Sequence, residues 1–294
     1  MASHPRNCNL PHLPRRLALK ACASGVLLCA VGFAVPAWAQ QPLALSTAIN
    51  RAGRLRSLSQ RIAKAYVEMV LDVMPDRAQN VMATALGIVK TNLTELGRAG
   101  FSADMAGLLN VCVADAGRLS SLVAGAPAAA RLADVNKAAD QLLASADSLT
   151  GALESRGKSS AKIVNIAGRQ RMLSQRMAKS FLLIEAGQDA APLRKQLDTA
   201  RGEFDAGLAA LEAAPVSTAS IKQDLQLART QWMFYQSALD GKGRATARRD
   251  VATTSERMLE VMDNLASLYD AALKDLLGSV AYNDTQYAAL YPVS

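Results

Sequence analysis

Leu55, Leu58, Ile62, Tyr66 and Met69 recur at steps of three and four residues, which at 100° per residue places them on one side of a helix. The opposite side carries Gly53, Arg56 and Gln60 in an i, i+3, i+7 line, flanked by Asn50, Arg54, Ser57 and Arg61. Read the same way, with Pro and Gly as punctuation, the chain divides into helical stretches over 46–73, 76–99, 102–123, 127–154, 161–186, 190–213, 218–239 and 245–277. Alanine and leucine dominate these stretches, aromatic and β-branched residues are sparse, and no alternating strand pattern of useful length interrupts them. The pattern predicts an all-α protein of antiparallel bundles joined by short loops.

The helices fall into two copies of one unit. Positions 50–64 read Asn-Arg-Ala-Gly-Arg-Leu-Arg-Ser-Leu-Ser-Gln-Arg-Ile-Ala-Lys, and positions 165–179 read Asn-Ile-Ala-Gly-Arg-Gln-Arg-Met-Leu-Ser-Gln-Arg-Met-Ala-Lys, with 11 of 15 residues identical at an offset of 115. A looser match at an offset of 116 sets 135–149 over 251–265 and pairs Leu143 with Leu259, Asp147 with Asp263 and Leu149 with Leu265. Two tandem antiparallel helical-bundle modules of about four helices each follow, over 42–157 and 158–277. A tail at 278–294, bearing Tyr282, Tyr287 and Tyr291, is either a frayed extension or a strap across the bundle.

The first 39 residues have the form of a secretory signal: a basic stretch with Arg6, Arg15, Arg16 and Lys20, an apolar run over 21–35, and Ala37-Trp38-Ala39 before Gln40. Arg15-Arg16-Leu17-Ala18-Leu19-Lys20 resembles a twin-arginine signal, so the Sec and twin-arginine routes both stand. Beyond this leader no run of 18 uncharged apolar residues occurs, and the expected location is the periplasm. Cleavage after Ala39 would remove both histidines and three of the four cysteines, leaving Cys112 alone. An internal disulfide, a histidine-dependent nucleophile and a Cys/His zinc site are then excluded, and the expectation is a protein without catalytic residues, cofactor or metal. Cys112 reads as a small buried hydrophobe.

Charge picks out the repeated box. After the leader the chain holds 29 basic and 25 acidic residues, net +4. Nine of those basic residues, Arg51, Arg54, Arg56, Arg61, Lys64, Arg169, Arg171, Arg176 and Lys179, lie in the two boxes, which contain no acid. An isolated arginine run is usually a solvated helix face. Here the Gly, Asn, Ser, Gln and Arg positions agree together while the rest of the two copies diverges, which points to an anion site. A mid-helix glycine costs roughly 1 kcal/mol relative to alanine, so Gly53 and Gly168 imply close approach of a backbone or a ligand. Two arginines roughly 6 Å apart would repel by about 3 kcal/mol at an effective dielectric near 20, a repulsion that a bound anion reverses.

The pattern Asn-x-Ala-Gly-Arg-x-Arg-x-Leu-Ser-Gln-Arg-x-Ala-Lys resembles the signature of the NarX-like, or PilJ-type, N-terminal domain of type IV pili methyl-accepting chemotaxis transducers. That resemblance implies a helical bundle whose box helices bind one nitrate at a two-fold interface. By position it puts the main anion-contacting arginine at Arg56 and Arg171, a backbone contact at Gly53 and Gly168, and a second functional arginine at Arg61 and Arg176. Arg54 and Arg169 are additions to the nitrate-sensor box, and Ile166 stands opposite Arg51, so the anion is left open between nitrate, nitrite and a similar small oxyanion. The implied ligand set is Gly53, Arg54, Arg56, Arg61, Gly168, Arg169, Arg171 and Arg176.

The expected function is therefore a periplasmic sensor-type binding protein for a small oxyanion. It would pair its two boxes within one chain or across a homodimer, and report to a membrane-bound sensor or transporter component. The alternative is a helical module whose basic face docks on an acidic protein or on anionic lipid headgroups. Nucleic acid is not an expected partner, because export separates the two and stacking aromatics are sparse.

Overall fold

The computed structural model describes residues 43–157, 159–216, 218–241 and 244–277. The leader read over 1–39, with its cysteines and histidines, and the tail over 278–294 lie outside the described residues. The described residues belong to one compact unit.

The described residues form eight α-helices joined by short loops: α1 (Leu45–Val70), α2 (Pro75–Gly97), α3 (Ala103–Val123), α4 (Leu132–Glu154), α5 (Ser159–Glu185), α6 (Ala190–Glu212), α7 (Ala219–Leu239) and α8 (Ala247–Leu277). The fold is all-α, and the helices follow the apolar periodicity closely. The stretch expected to be helical from position 127 instead opens with a 3₁₀ turn, Ala129–Arg131, before α4. Helix boundaries have local causes. Pro75 occupies the first turn of α2, where its missing N–H costs nothing. Asp189 caps α6 by accepting from Ala191 N, and Thr218 caps α7 by accepting from Ile221 N. Gly187, at φ +79°, ends α5 in a left-handed turn, with Gln188 N bonded back to Leu183 O.

Helix direction follows from the side-chain pairs. Arg56 meets Asp147 and Gln60 meets Asp140, so α1 runs antiparallel to α4. Asn50 meets Asp270 and Arg61 meets Glu256, so α1 also runs antiparallel to α8. Arg171 meets Asp263 and Gln175 meets Ser255, so α5 is antiparallel to α8 as well, and α1 and α5 are parallel. The first and last helices of the two repeats thus make a central four-helix arrangement, with α1 packed against α5 along its axis. The hairpin α2–α3 flanks α1 and α4, and α6–α7 flanks α5 and α8.

The apolar stripe Leu55, Leu58, Ile62 and Tyr66 is buried, as its spacing predicts, and Met69 packs partly buried beside it. The opposite stripe is buried too. Ser57, Ser59, Gln60 and Lys64 have essentially no exposed surface, so α1 keeps only a narrow, partly exposed line through Thr47, Arg51, Arg54 and Arg61. Helix α3 is, among the described residues, the one long and apolar enough to cross a membrane by length and hydropathy. It buries only the stripe Met105, Leu109, Cys112, Ala116, Leu119 and Val123, and carries Asp104, Asp115 and Arg118 along its length.

Candidate functional site

The two box helices meet across a local two-fold relation, and the boxes lie in the seam between them. Arg56 and Arg171 are each 1 % exposed, so they are not a solvated face. Helical side chains point toward the N-terminus of their own helix. Each guanidinium accordingly reaches back along its neighbour to the asparagine that opens the other box. Arg56 Nη2 donates to Asn165 Oδ1 at 2.7 Å, and Arg171 Nη2 donates to Asn50 Oδ1 at 2.7 Å.

Each arginine is also neutralised by a carboxylate from the last helix of its own repeat. Arg56 Nη1 donates to Asp147 at 2.6 Å, and Arg171 Nη1 donates to Asp263 at 2.7 Å. The same carboxylates receive the outer arginine of the opposite repeat: Arg54 donates to Asp263, and Arg169 Nη1 lies 3.9 Å from Asp147. The asparagines are held in turn. Asn50 Nδ2 donates to Asp270, and Asn165 Nδ2 donates to Glu154.

One level toward the C-terminal ends of α1 and α5, the relation repeats with lysine. Lys64 Nζ is bonded to Glu256 at 2.6 Å and to Ser255 Oγ at 3.0 Å, both on α8. Lys179 Nζ is bonded to Asp140 on α4 at 2.7 Å. Gln60 and Gln175 donate to the backbone carbonyls of Ala139 and Ser255.

The repeated glycines make room for these guanidiniums. A Cβ on Gly53 would lie 3.0 Å from Arg56 Nη2; one on Gly168 would lie 3.3 Å from Arg171 Nη2 and 3.6 Å from Arg56 Nη2. The sequence predicts a backbone or a ligand against these glycines; what lies against them is the arginine side chain itself. The two buried cations therefore meet at Gly168.

Burial pulls both guanidiniums below their ordinary pKa, against the pull of Asp147 and Asp263 in the other direction, and the neighbouring arginines add to the lowering. Burial likewise lowers Lys179 to about 8 despite Asp140. Burial alone would raise Glu256, but Lys64 and Arg61 outweigh it and hold the carboxyl at about 2. The arginine repulsion reckoned from the sequence is thus met within the protein by acids from α4 and α8. Satisfaction is nevertheless incomplete: Arg171 Nε, Gln60 Oε1 and Gln175 Oε1 are buried without a protein partner.

Of the residues singled out in the sequence, the seam brings together Gly53, Arg56, Gly168 and Arg171. Arg54 and Arg169 lie at its rim, each with 37 % of its side chain exposed. Arg61 and Arg176 do not join it. Arg61 pairs with Glu256 on α8, and Arg176 faces the Gln196 amide, whose oxygen, turned to satisfy both groups, accepts from Arg176 Nη2 at 2.9 Å. The acidic half of the site, Asp140, Asp147, Glu154, Glu256, Asp263 and Asp270, is not among the candidate site residues of the sequence, although the alignment of the two copies pairs Asp147 with Asp263. Its signal is the offset of 116, which places Asp140, Asp147 and Glu154 over Glu256, Asp263 and Asp270.

Residues 153–254, from the end of α4 into α8, match the family model described as type IV pili methyl-accepting chemotaxis transducer N-term, PilJ. The second repeat is a PilJ-type domain. The chain also resembles the methyl-accepting chemotaxis protein McpN of Pseudomonas aeruginosa, with 29 % identity over 119 residues, or 38 % of this chain and 22 % of that protein. The chain thus spans about a fifth of that relative's length. No solved structure matches. The PilJ-type likeness is to the N-terminal part of chemotaxis transducers, and the role it supports is sensory rather than catalytic.

Proposed function

We propose that this protein is a periplasmic sensory binding protein, and that its ligand is a small planar oxyanion of the nitrate or nitrite kind, held between Arg56 and Arg171. The observation that carries this reading is the meeting of two buried guanidiniums at Gly168, one of them with an N–H that has no protein partner. Guanidinium forks suit planar oxyanions, and a site closed between parallel helices gives such donors more weight than they have in water.

Entry of an anion requires the internal carboxylates to yield. Asp147 is half exposed and Asp263 about a third exposed, so each can turn toward solvent while its arginine stays in the seam. Because Arg56–Asp147 ties α1 to α4 and Arg171–Asp263 ties α5 to α8, exchange of a carboxylate for a ligand changes how the outer helices sit on the inner pair. A ligand that binds one arrangement better shifts the population toward it, and this is how the site would signal. Burial of Arg56, Arg171, Lys64 and Lys179 speaks against the docking alternative, since these cations are not offered to a surface.

The test is thermal unfolding in nitrate, nitrite, sulfate and chloride at matched ionic strength. A ligand at roughly 100 times its dissociation constant adds about 2.7 kcal/mol of stability. We expect a shift selective for one planar oxyanion that is lost when Arg56 and Arg171 are both changed to Lys, which keeps the charge and removes the fork. Equal shifts in all four salts, or a selective shift that survives the double change, would refute the assignment.

A further inference from the structure

A cavity opens beside the seam, between α1, α2 and the end of α8. It has a volume of about 510 Å³, and its walls include Thr47, Arg51, Arg54, Asn92, Glu95 and Asp270. Two basic and two acidic side chains give it no net charge, and Ile88 supplies an apolar wall. Asn92 is 5 % exposed, and its amide nitrogen donates to no group in the protein, an unusual condition for a buried donor.

The second repeat has no room for the same cleft. At the offset of 115, Glu203 stands for Ile88 and bonds Arg169 at 3.0 Å, spanning the two helices. Ile166 replaces Arg51, and Gly207 replaces Asn92. The Gln170 amide lies directly over Gly207, where a Cβ would fall 1.8 Å from its nitrogen. One copy therefore fills this space with Glu203 and Gln170, whereas the other spans it with the Arg51–Glu95 pair and keeps a polar-lined cavity beside that pair.

We propose that the cleft of the first repeat binds a small zwitterion of the amino-acid class. Arg51 and Glu95 are paired with each other at 2.8 Å across the cleft, and a zwitterion would part them. Its carboxylate would take Arg51 and the free Asn92 N–H, and its ammonium group would take Glu95 and Asp270, which now accepts from Thr47 and Asn50. A ligand with a net charge would unbalance a lining that is already neutral, and a zwitterion does not. Asn50 links the cleft to the seam: its amide nitrogen donates to Asp270, and its oxygen accepts from Arg171. Occupancy of the cleft would thus bear on the arginine pair without requiring an anion there.

The experiment is a calorimetric and thermal-shift screen of residues 40–294 against the proteinogenic amino acids, with sodium nitrate and a neutral sugar as controls. At least one amino acid should bind. Ile88→Glu, which installs the second repeat's filling, should abolish that binding and leave the helical content and any nitrate response intact. Asn92→Ala should weaken it about tenfold, the usual loss for one buried hydrogen bond. Binding of no amino acid, or binding that survives Ile88→Glu in a folded variant, would overturn the proposal. Loss of nitrate binding alone would bear on the seam and not on the cleft.

Discussion

Replacing Gly53 by alanine pits two opposed effects against each other, and the structure decides which prevails. Alanine in a helix interior is more stable than glycine by about 0.5–1 kcal/mol, so an unencumbered change should stabilise α1. The new methyl, however, would sit 3.0 Å from Arg56 Nη2. That nitrogen is the end of a long side chain, but it is pinned at 2.7 Å by Asn165, and the neighbouring Nη1 is held at 2.6 Å by Asp147. Moving it loosens a charge-assisted hydrogen bond worth about 1.5–3 kcal/mol. The net effect should be a loss of about 1 kcal/mol, or roughly 2–4 °C in melting temperature for a body of this size.

Gly168→Ala should lie near neutrality, because its nearest contacts, at 3.3 and 3.6 Å, are looser. Gly117→Ala and Gly202→Ala, exposed helical positions with nothing within 4 Å of a new Cβ, should each gain the full propensity term. The assay is denaturant unfolding, with the midpoint read at constant slope. Repeating Gly53→Ala in an Arg56→Met background isolates the cause: without the guanidinium the alanine should become stabilising. If Gly53→Ala stabilises as much as the exposed controls, or if its cost persists after Arg56 is removed, the account of the glycine is wrong.

Acid should weaken the lysine layer. Glu256 is held at about 2, below the ordinary 4.5, so the stability it contributes is fully present above 4.5 and is lost as pH falls toward 2. The advantage of the wild type over Glu256→Gln should shrink by about 3 kcal/mol between about pH 5 and about pH 2; an advantage constant across that range would refute it. The first repeat expressed alone, residues 41–157, should associate with a second copy of itself, because it carries both Arg56 and the Asn50 that a partner copy's arginine would need. Sedimentation showing a stable monomer, or a dimer indifferent to Asn50→Leu, would contradict the seam as drawn.

The helices were legible because their apolar positions repeat at three and four residues, and observed and expected ends differ by only a few positions. The largest shifts have local causes. α1 stops at Val70 because Asp72 and Met74 take positive φ before Pro75, and α4 starts late because a 3₁₀ turn precedes it. The arginine box was legible through its repetition, and Gly53 through its improbability inside a helix. Periodicity could not show that both faces of α1 are buried, since a polar stripe that meets another polar stripe looks the same in sequence as one that meets water. Nor could it show the acids, because Asp147 and Asp263 sit about 90 residues from the arginines they neutralise. The alignment already paired the two aspartates, and a charge matched at the same place in both copies was the clue to a partner within the fold.

Joining both halves of a two-fold seam in one chain relaxes the constraint on some positions and tightens it on others. In a pair of identical subunits every substitution appears twice; here Arg51 faces the counterpart Ile166, Leu55 the counterpart Gln170, Ile88 the counterpart Glu203 and Asn92 the counterpart Gly207. The first two of these differences lie on α1 and α5 and the other two on α2 and α6, where each repeat completes its own contacts. At the seam no such freedom exists, because the asparagine of each copy completes the buried arginine of the other. Loss of the Asn165 side chain would leave Arg56 Nη2 unpaired, at a cost of about 1–3 kcal/mol for an unsatisfied charged donor, and loss of the Asn50 side chain would leave Arg171 Nη2 only the Asn50 carbonyl at 3.1 Å. The asparagines and arginines therefore had to remain alike in both copies while their flanks diverged, and the cleft in the first repeat is one place where that divergence separates the two copies.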